Sequence, residues 1–494
     1  MSYTVGIDIG TFESKGVLVD YSGNVISQAK RAHRMLVPKP GWAEHRAEED
    51  WWDDFCYISK SLIKNSGINP NQIKAVACSA IGPCMLPVNS DGNPLMNAIL
   101  YGVDNRADKE VQQLTRTIGK DIILQNCGNA LTSQSVGPKI LWFKKNYSDL
   151  YRQTAKILTS TSFIVHRLTN RYVIDHYTAA NFSPLYNLNE QTWTTDLTED
   201  IVNLERLPEL KWSDEIVGFV SDKASESTGI PKGTPVTTGT IDAAAEALSV
   251  GVINPGDMMM MYGSTIFIIL RNSEQIVDSR LWYAPWLFKG EHASMAGLAT
   301  SGTLTHWFTD QFARELNAEH KIAALAKEAQ KSPPGANGLI VLPYFSGERT
   351  PIHDANAKGV FFGLNLTHSR GDIFRAILEG IAYGTRHVTD TFREVGQPPT
   401  KLFAVGGGTK NEVWLQATSD VTGLDQEVCK NTIGASYGNA FMAALSIGEA
   451  TIEDINWWNP VVKTITATAK SNYELSYDIF RELYIKNKDL MAKL

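Results

Sequence analysis

No excess of positive charge, no long apolar run and no paired cysteines mark this chain, and each absence closes off a class of function. Over 494 residues, 53 acidic side chains face 46 lysines and arginines, a net charge of −7. Broad nucleic-acid binding needs a basic surface that displaces counterions, so no nucleic-acid partner is expected. No apolar run reaches the ~18 residues of a membrane span. The opening Ser2-Tyr3-Thr4-Val5-Gly6-Ile7-Asp8 has neither the basic nor the apolar region of an export signal. No membrane partner and a cytoplasmic location are therefore expected. The five cysteines, Cys56, Cys78, Cys84, Cys127 and Cys429, are scattered and never form a C-x-x-C pair. That argues against a disulfide framework or a zinc site and fits a reducing compartment. The ten histidines are unclustered, which argues against a histidine-based metal site. No G-x-S-x-G nucleophile motif occurs, and there is no low-complexity segment.

What is present reads as an α/β chain long enough for two or three domains at roughly 100–200 residues each. Val5–Ile9 alternates as a strand, Gly10-Thr11-Phe12-Glu13-Ser14 turns, and Lys15–Asp20 forms a second strand before a turn at Tyr21–Asn24. A dinucleotide-binding start would lead its glycine turn into a helix. Here the turn leads into a β-branched strand, so that reading fails. Trp51, Trp52, Phe55, Ile58, Leu62 and Ile63 recur at helical spacing behind acidic residues. Ile73–Cys78 reads as a buried strand, and Met85–Val88 as another. Lys139–Lys145 and Phe163–Leu168 read as helices. Near residue 240 the grammar restarts: a small-residue helix over Ile241–Leu248, a strand at Met258–Tyr262, a Gly263-Ser264-Thr265 turn and a strand at Ile266–Leu270. We read this as a duplication of fold with its boundary near Leu248–Asp257, giving domains 1–248 and 249–494. Asp372–Val388 and Ser436–Leu445 read as further helices, and Leu402–Val405 as a strand ending in Gly406-Gly407-Gly408.

Three turns of glycine and small hydroxyl residues thus follow strands. Glycine lets a backbone approach a phosphate, and N–H and hydroxyl groups donate to its oxygens. Two turns at equivalent places in two halves would clamp one polyphosphate from both sides. Asp8, just before the first turn, suits Mg²⁺ or serves the turn as a structural carboxylate. Lys15 reaches a phosphate or is a strand-edge lysine. Asp242 opens a small-residue helix, where a carboxylate either complements the dipole or accepts a hydroxyl proton during phosphoryl transfer. Asp104-Asn105-Arg106 follows the apolar Ala98–Tyr101 and either reads polyol hydroxyls or forms a surface ion pair.

These residues resemble the FGGY family of carbohydrate kinases, in its xylulose- and gluconate-kinase-like branch, over nearly the whole chain. The resemblance is carried by Gly359-Val360-Phe361-Phe362-Gly363-Leu364 with Asp372–Glu379, by Gly6-Ile7-Asp8-Ile9-Gly10-Thr11, and by Gly41-Trp42-Ala43-Glu44. Tyr177-Thr178-Ala179-Ala180 after Asp175, and Gly406-Gly407-Gly408 with Asn411 and Trp414, complete it. It implies two actin-like (ribonuclease-H-like) ATPase domains with ATP and sugar in the interdomain cleft. It implies Asp242 as catalytic base and Asp8 at Mg²⁺. Thr11, Lys15, Gly263, Ser264 and Thr265 would lie around the phosphates, Gly302 and His306 near the nucleotide, and Gly407, Gly408 and Asn411 on the nucleoside. Asp104 and Arg106, with Asp242, would fall on the sugar side. The implied reaction is transfer of the γ-phosphate of Mg-ATP to a small sugar, a ketopentose such as xylulose first. Gluconate, another sugar acid or a polyol is the alternative, with a non-catalytic actin-like nucleotide switch or a sugar sensor behind it. A homodimer is one assembly the resemblance implies. The chain departs from the pattern at Phe12-Glu13 in the first turn. It also lacks the Met-His pair that xylulose kinases carry near Ile81–Cys84, and it has Asp242-Ala243 where they have Asp-Asn.

Overall fold

The structure, a computed structural model, describes residues 2–316, 320–468 and 473–494. The elements that build the site are, in chain order, β1 (Tyr3–Ile9), β2 (Glu13–Asp20), β3 (Val25–Ala32), β4 (Ile73–Ala80), β5 (Thr240–Ile241) and α1 (Asp242–Ser249). They continue with β6 (Asp257–Tyr262), β7 (Ile266–Asn272), β8 (His292–Leu298), α2 (Gly302–Phe312), β9 (Lys401–Val405), α3 (Glu412–Thr422) and α4 (Ala435–Ser446). The strands and helices read from sequence are found within a few residues of their expected ends; the long helix expected at Asp372–Val388 runs over Arg370–Glu394.

The chain forms two compact units. The first comprises Met1–Ile253, Glu274–Ala293 and Ile433–Pro460; the second comprises Asn254–Ser273, Ser294–Thr432 and Val461–Leu494. The sheet of the first unit is ordered Ile216–Phe219, Pro235–Thr237, β4, β1, β2, β3, with β5 also on β4. β1 and β2 form an antiparallel hairpin, and β1, β4 and β5 run parallel. The second unit repeats this plan. β6 and β7 are an antiparallel hairpin, β8 lies next to β7, and β9 lies parallel on the other side of β6. The expected duplication is therefore one of topology.

The compact units are discontinuous in sequence: segments 274–293 and 433–460, which follow residue 249, pack with the first unit. Close packing of glycines explains the return of α4. A Cβ on Gly6 of β1 would lie 2.0 Å from the Ser436 carbonyl oxygen, and one on Gly438 of α4 would lie 1.9 Å from the Ala245 carbonyl oxygen. Backbone thus meets backbone on both sides of α4, and the Thr4 hydroxyl donates to the Ala440 carbonyl across 2.8 Å. The core beneath is ordinary: Val5, Ile7, Ile9, Trp51, Phe55, Ile58, Leu62 and Val76 are all buried in one cluster. No helix among the described residues is long and apolar enough to cross a membrane.

Candidate active site

In the first unit the parallel strands β1, β4 and β5 end together, and their carboxyl ends are where an open α/β sheet presents ligand-binding groups. The register places Asp8 opposite Ser79 and Ser79 opposite Thr240. Two residues beyond Thr240, Asp242 opens α1, and its Oδ1 accepts the Ala243 N–H at 2.7 Å. The strand before it is held from below: the Thr240 hydroxyl donates to the buried Asp175 at 2.8 Å, which also takes the Thr178 N–H. Gly239 reaches this turn at φ +72°, and a Cβ there would lie 2.1 Å from the Cys78 carbonyl oxygen, so only glycine passes.

Three carboxylates share this end of the unit, and each is pushed up. Burial raises Asp8 to about 6, against the hydroxyl of Ser79 and the charge of Lys15, which pull it down. Burial, with repulsion from Asp8, holds Asp242 well above the usual carboxylate range. Burial and Asp8 likewise raise Glu246 to about 7, with Lys15 opposing. Lys15 is the cross-strand partner of Asp8 on β2 and lies 3.6 Å from Glu13. Glu246 was not singled out from sequence, although its spacing of four from Asp242 puts both on one helical face. Replacing Glu246 by Gln tests this reading. The folded-state value near 7 lies above the ordinary 4.5, so ionised Glu246 costs stability at high pH. The expected result is a melting temperature above wild type at pH 8, a gain on the order of 2 kcal/mol. The gain shrinks as pH falls through 7 and vanishes below about 4.5, where both folded and unfolded forms are protonated.

The first glycine turn follows β1. A Cβ on Gly10 would lie 2.6 Å from the Glu13 carbonyl oxygen, so the turn is closed tightly. The Thr11 hydroxyl sits 3.0 Å from the Tyr101 hydroxyl, and Phe12 is exposed. His33, which sequence reasoning missed, supports the turn. Its Nε2 lies 3.0 Å from the Gly10 carbonyl oxygen, its Nδ1 lies 2.8 Å from Asp54, and its N–H donates to the Phe12 carbonyl.

The pair expected on the sugar side is internal. Asp104 is fully buried, accepting the Ala43 N–H at 2.6 Å and the Arg106 guanidinium at 2.7 to 3.0 Å. Arg106 also reaches Glu44 at 2.9 Å and stacks over the rings of Trp42 and Trp142. Trp42, Ala43, Glu44 and Trp142 lie 36 to 64 residues away in sequence, on elements whose approach only the fold reveals.

In the second unit two glycine turns leave neighbouring parallel strands at the same end, since Met261 of β6 pairs with Val405 of β9. The carbonyl of Gly263 accepts the N–H of Gly302 at 3.0 Å and the hydroxyl of Ser301 at 3.0 Å. That of Ser264 accepts the N–H and hydroxyl of Thr303, at 3.1 and 2.8 Å. The carbonyls that would repel a phosphate are thus occupied by the start of α2, and Ser264 is left exposed beside Thr265. Gly302 is required at this join: a Cβ would lie 2.4 Å from the Gly263 oxygen. His306, one turn further along α2, is exposed. The Gly406-Gly407-Gly408 turn rests on Tyr262 and Trp414, packed edge to face at 5.0 Å, and a Cβ on Gly407 would meet nothing. Asn411 caps α3 by accepting the Trp414 N–H at 3.2 Å, while its buried Nδ2 has no partner among the described residues.

Carboxylates at the ends of parallel strands in one unit, and glycine turns at the ends of parallel strands in a second unit of the same plan, define a two-domain phosphotransferase of the actin-like class. The chain belongs to the FGGY family of carbohydrate kinases: the family's N-terminal domain matches residues 3–249 and its C-terminal domain matches residues 258–447. It is an ATP-dependent kinase that phosphorylates an alcohol group of a small sugar. A xylulose kinase of Bacillus subtilis is 26% identical over 100% of this chain and 99% of its own length. A glycerol kinase of Natranaerobius thermophilus is 28% identical over 90% of each chain. The solved xylulose kinase from Rhodospirillum rubrum superposes with a TM-score of 0.93 at 28% identity, covering 99% of both chains.

Proposed function

We propose that the chain phosphorylates a ketopentose such as xylulose, with Asp242 accepting the proton of the attacking hydroxyl. The observation that carries this is the raised carboxyl of Asp242 at the first turn of α1, beside Asp8 and Glu246. A base is most useful when its pKa lies near the working pH, and burial with neighbouring negative charge moves a carboxylate that way. The oxygen freed of its proton attacks the γ-phosphorus in line as the bond to the β,γ-bridging oxygen breaks and ADP leaves, and positioning with charge stabilisation supplies most of the rate.

The residues fit Mg²⁺. Hard oxygen donors, Asp8 foremost, repel one another, and Lys15 offsets Asp8 and Glu246, which is the charge pattern a divalent cation relieves. No group of three or more His, Cys, Asp or Glu side chains among the described residues forms a cage. That suits an ion held by one or two carboxylates together with substrate phosphates. When bound, the ion would neutralise charge on the phosphates; Asp8 would hold it, and Thr11 and Lys15 would orient the oxygens around it. Ser264 and Thr265, with Gly263 and Gly302 behind them, would take the phosphates on the second unit. Gly407, Gly408 and Asn411 would hold the nucleoside, and His306 would lie near it. Replacing Gly302 by Ala would push the second turn off its support. The expected result is a KM for Mg-ATP raised about 10-fold with the sugar KM unchanged, read from initial rates.

On the acceptor side, Asp104 and Arg106 would act by holding Trp42 and Glu44 in place and so shape the wall around the sugar. One observation favours a second substrate reading. Gly82, whose Cβ would lie 3.0 Å from Ile241, and Pro83 put no hydrogen-bonding side chain beside the residue preceding Asp242. A smaller polyol, as for the glycerol kinase relative, needs fewer donors there. An ADP-release assay with Mg-ATP against xylulose, ribulose, glycerol and gluconate decides between them. Strongest stimulation by a ketopentose supports the proposal, and strongest stimulation by glycerol or gluconate replaces it.

A further inference from the structure

One buried chain of hydrogen bonds links α4 to the carboxylate centre. Asn439 on α4 donates from Nδ2 to the Ile7 carbonyl at 2.9 Å and to the Ser79 hydroxyl at 2.8 Å. The Ser79 hydroxyl donates to Asp8 Oδ1 at 2.7 Å. Asn439 and Ser79 have no exposed surface. Asn439 lies 360 residues from Ser79 in sequence, and nothing in the local pattern of either marks the link.

The direction of this chain follows from its ends. A backbone carbonyl only accepts, so the amide nitrogen, and not its oxygen, must face Ile7. The second hydrogen of the same nitrogen then points at Ser79, whose oxygen is made an acceptor. The one proton of that hydroxyl is left for Asp8. The register reinforces the geometry, because Ser79 lies directly opposite Asp8 on the neighbouring parallel strand. One carboxylate oxygen of Asp8 is thereby held, and the rotation that would carry the other away from the site is opposed. The arrangement has a cost: Asn439 Oδ1 is buried without a partner among the described residues. A buried acceptor left unpaired costs about 1–3 kcal/mol, so packing alone gives no reason for an amide here.

We propose that Asn439 is a positioning residue for phosphoryl transfer, acting through Ser79 to hold the Asp8 carboxylate in a single orientation. The inference rests on the reading of Asp8 as the carboxylate at the metal and phosphates. A carboxylate free to rotate would meet the reacting groups in several poses, and small misplacements there carry large rate penalties.

The test compares wild type with Asp8→Asn, Ser79→Ala, Asn439→Ala and the Ser79→Ala/Asn439→Ala double variant, using Mg-ATP and xylulose. The readings are kcat, the Mg²⁺ concentration giving half-maximal rate, and the melting temperature. The expected result is a kcat lowered about 10- to 100-fold in each single relay variant, with a raised Mg²⁺ requirement. The double variant should be no worse than the poorer single one, because both cut the same chain. Ser79→Thr, which keeps the hydroxyl, should restore most of the rate. Wild-type kcat in Asn439→Ala, or losses that multiply in the double variant, would overturn the proposal. Should Asn439→Ala fail to fold, Ser79→Ala, which removes one oxygen, decides alone: a wild-type kcat there overturns it. The Asp8→Asn variant separates the two failures. Active Asp8→Asn removes the reading of Asp8 and the relay with it, whereas inactive Asp8→Asn beside active relay variants removes the relay only.

Discussion

Asp242→Asn is expected to lose about 10³-fold in kcat while the KM for Mg-ATP changes little, the pattern of a removed general base. Asparagine keeps the size of the side chain and an oxygen for the Ala243 N–H, now at 2.7 Å, so the start of α1 should survive. Its stability should move the other way. The Asp242 carboxyl is held well above its ordinary value by burial and by Asp8. At neutral pH an ionised group in that position opposes folding, and a neutral amide does not. The variant should therefore melt above wild type at pH 8, with the difference lost below pH ~4, where the carboxyl is protonated in both folded and unfolded chains. A variant both more stable and inactive is the signature of a functional carboxylate; a structural one would lose stability. Turnover near wild type, measured by ADP release, would remove Asp242 from the reaction.

Gly438→Ala should have the largest effect on folding. Its new Cβ would lie 1.9 Å from the Ala245 carbonyl oxygen and 3.2 Å from the Ser249 nitrogen, all backbone on the facing helix. No side chain can give way, so α4 and α1 must separate. Separation would open the packing on which β1 and α1 both depend, since α4 touches β1 through Gly6 on its other side. We expect a loss above about 4 kcal/mol, at the severe end for single substitutions, and little soluble protein. Gly396→Ala is the control: its Cβ would meet nothing, although φ +77° adds a local strain there. Denaturant melts of the two variants check the contrast, and equal stabilities would refute the packing account.

Much of this architecture was legible. The β1–β2 hairpin could be read because β-branched strands flank a glycine turn, and its counterpart at β6–β7 because the same order recurs. Asp8 could be singled out because it stands just before a glycine turn at a strand end, and Asp242 because it opens a small-residue helix, both positions set by local pattern. The partners of those residues could not. Ser79 lies in a buried strand as one small polar residue among apolar ones, and Asn439 lies in a small-residue helix where packing was the only visible purpose. Ser79 becomes a neighbour of Asp8 through the pairing of β4 with β1, and Asn439 joins them because α4 returns to the first unit, which depends on glycine contacts between backbones distant in sequence. Asp104 and Arg106 failed to present themselves to solvent for a related reason. Their network with Glu44, Trp42 and Trp142 satisfies them internally, and no short-range pattern announces it. Glu246 was within reach of sequence reasoning, four residues along the helix from Asp242, but it takes the fold to set it against Asp8.

The account's central claim is that this chain moves a phosphoryl group from ATP to a sugar hydroxyl. Phosphorus-31 NMR of a reaction containing the protein, Mg-ATP and xylulose tests it most directly. The account predicts a new phosphomonoester resonance that grows in step with ADP and is absent with Asp242→Asn. ADP formed only with inorganic phosphate, at a rate indifferent to xylulose, ribulose, glycerol and gluconate, would contradict it.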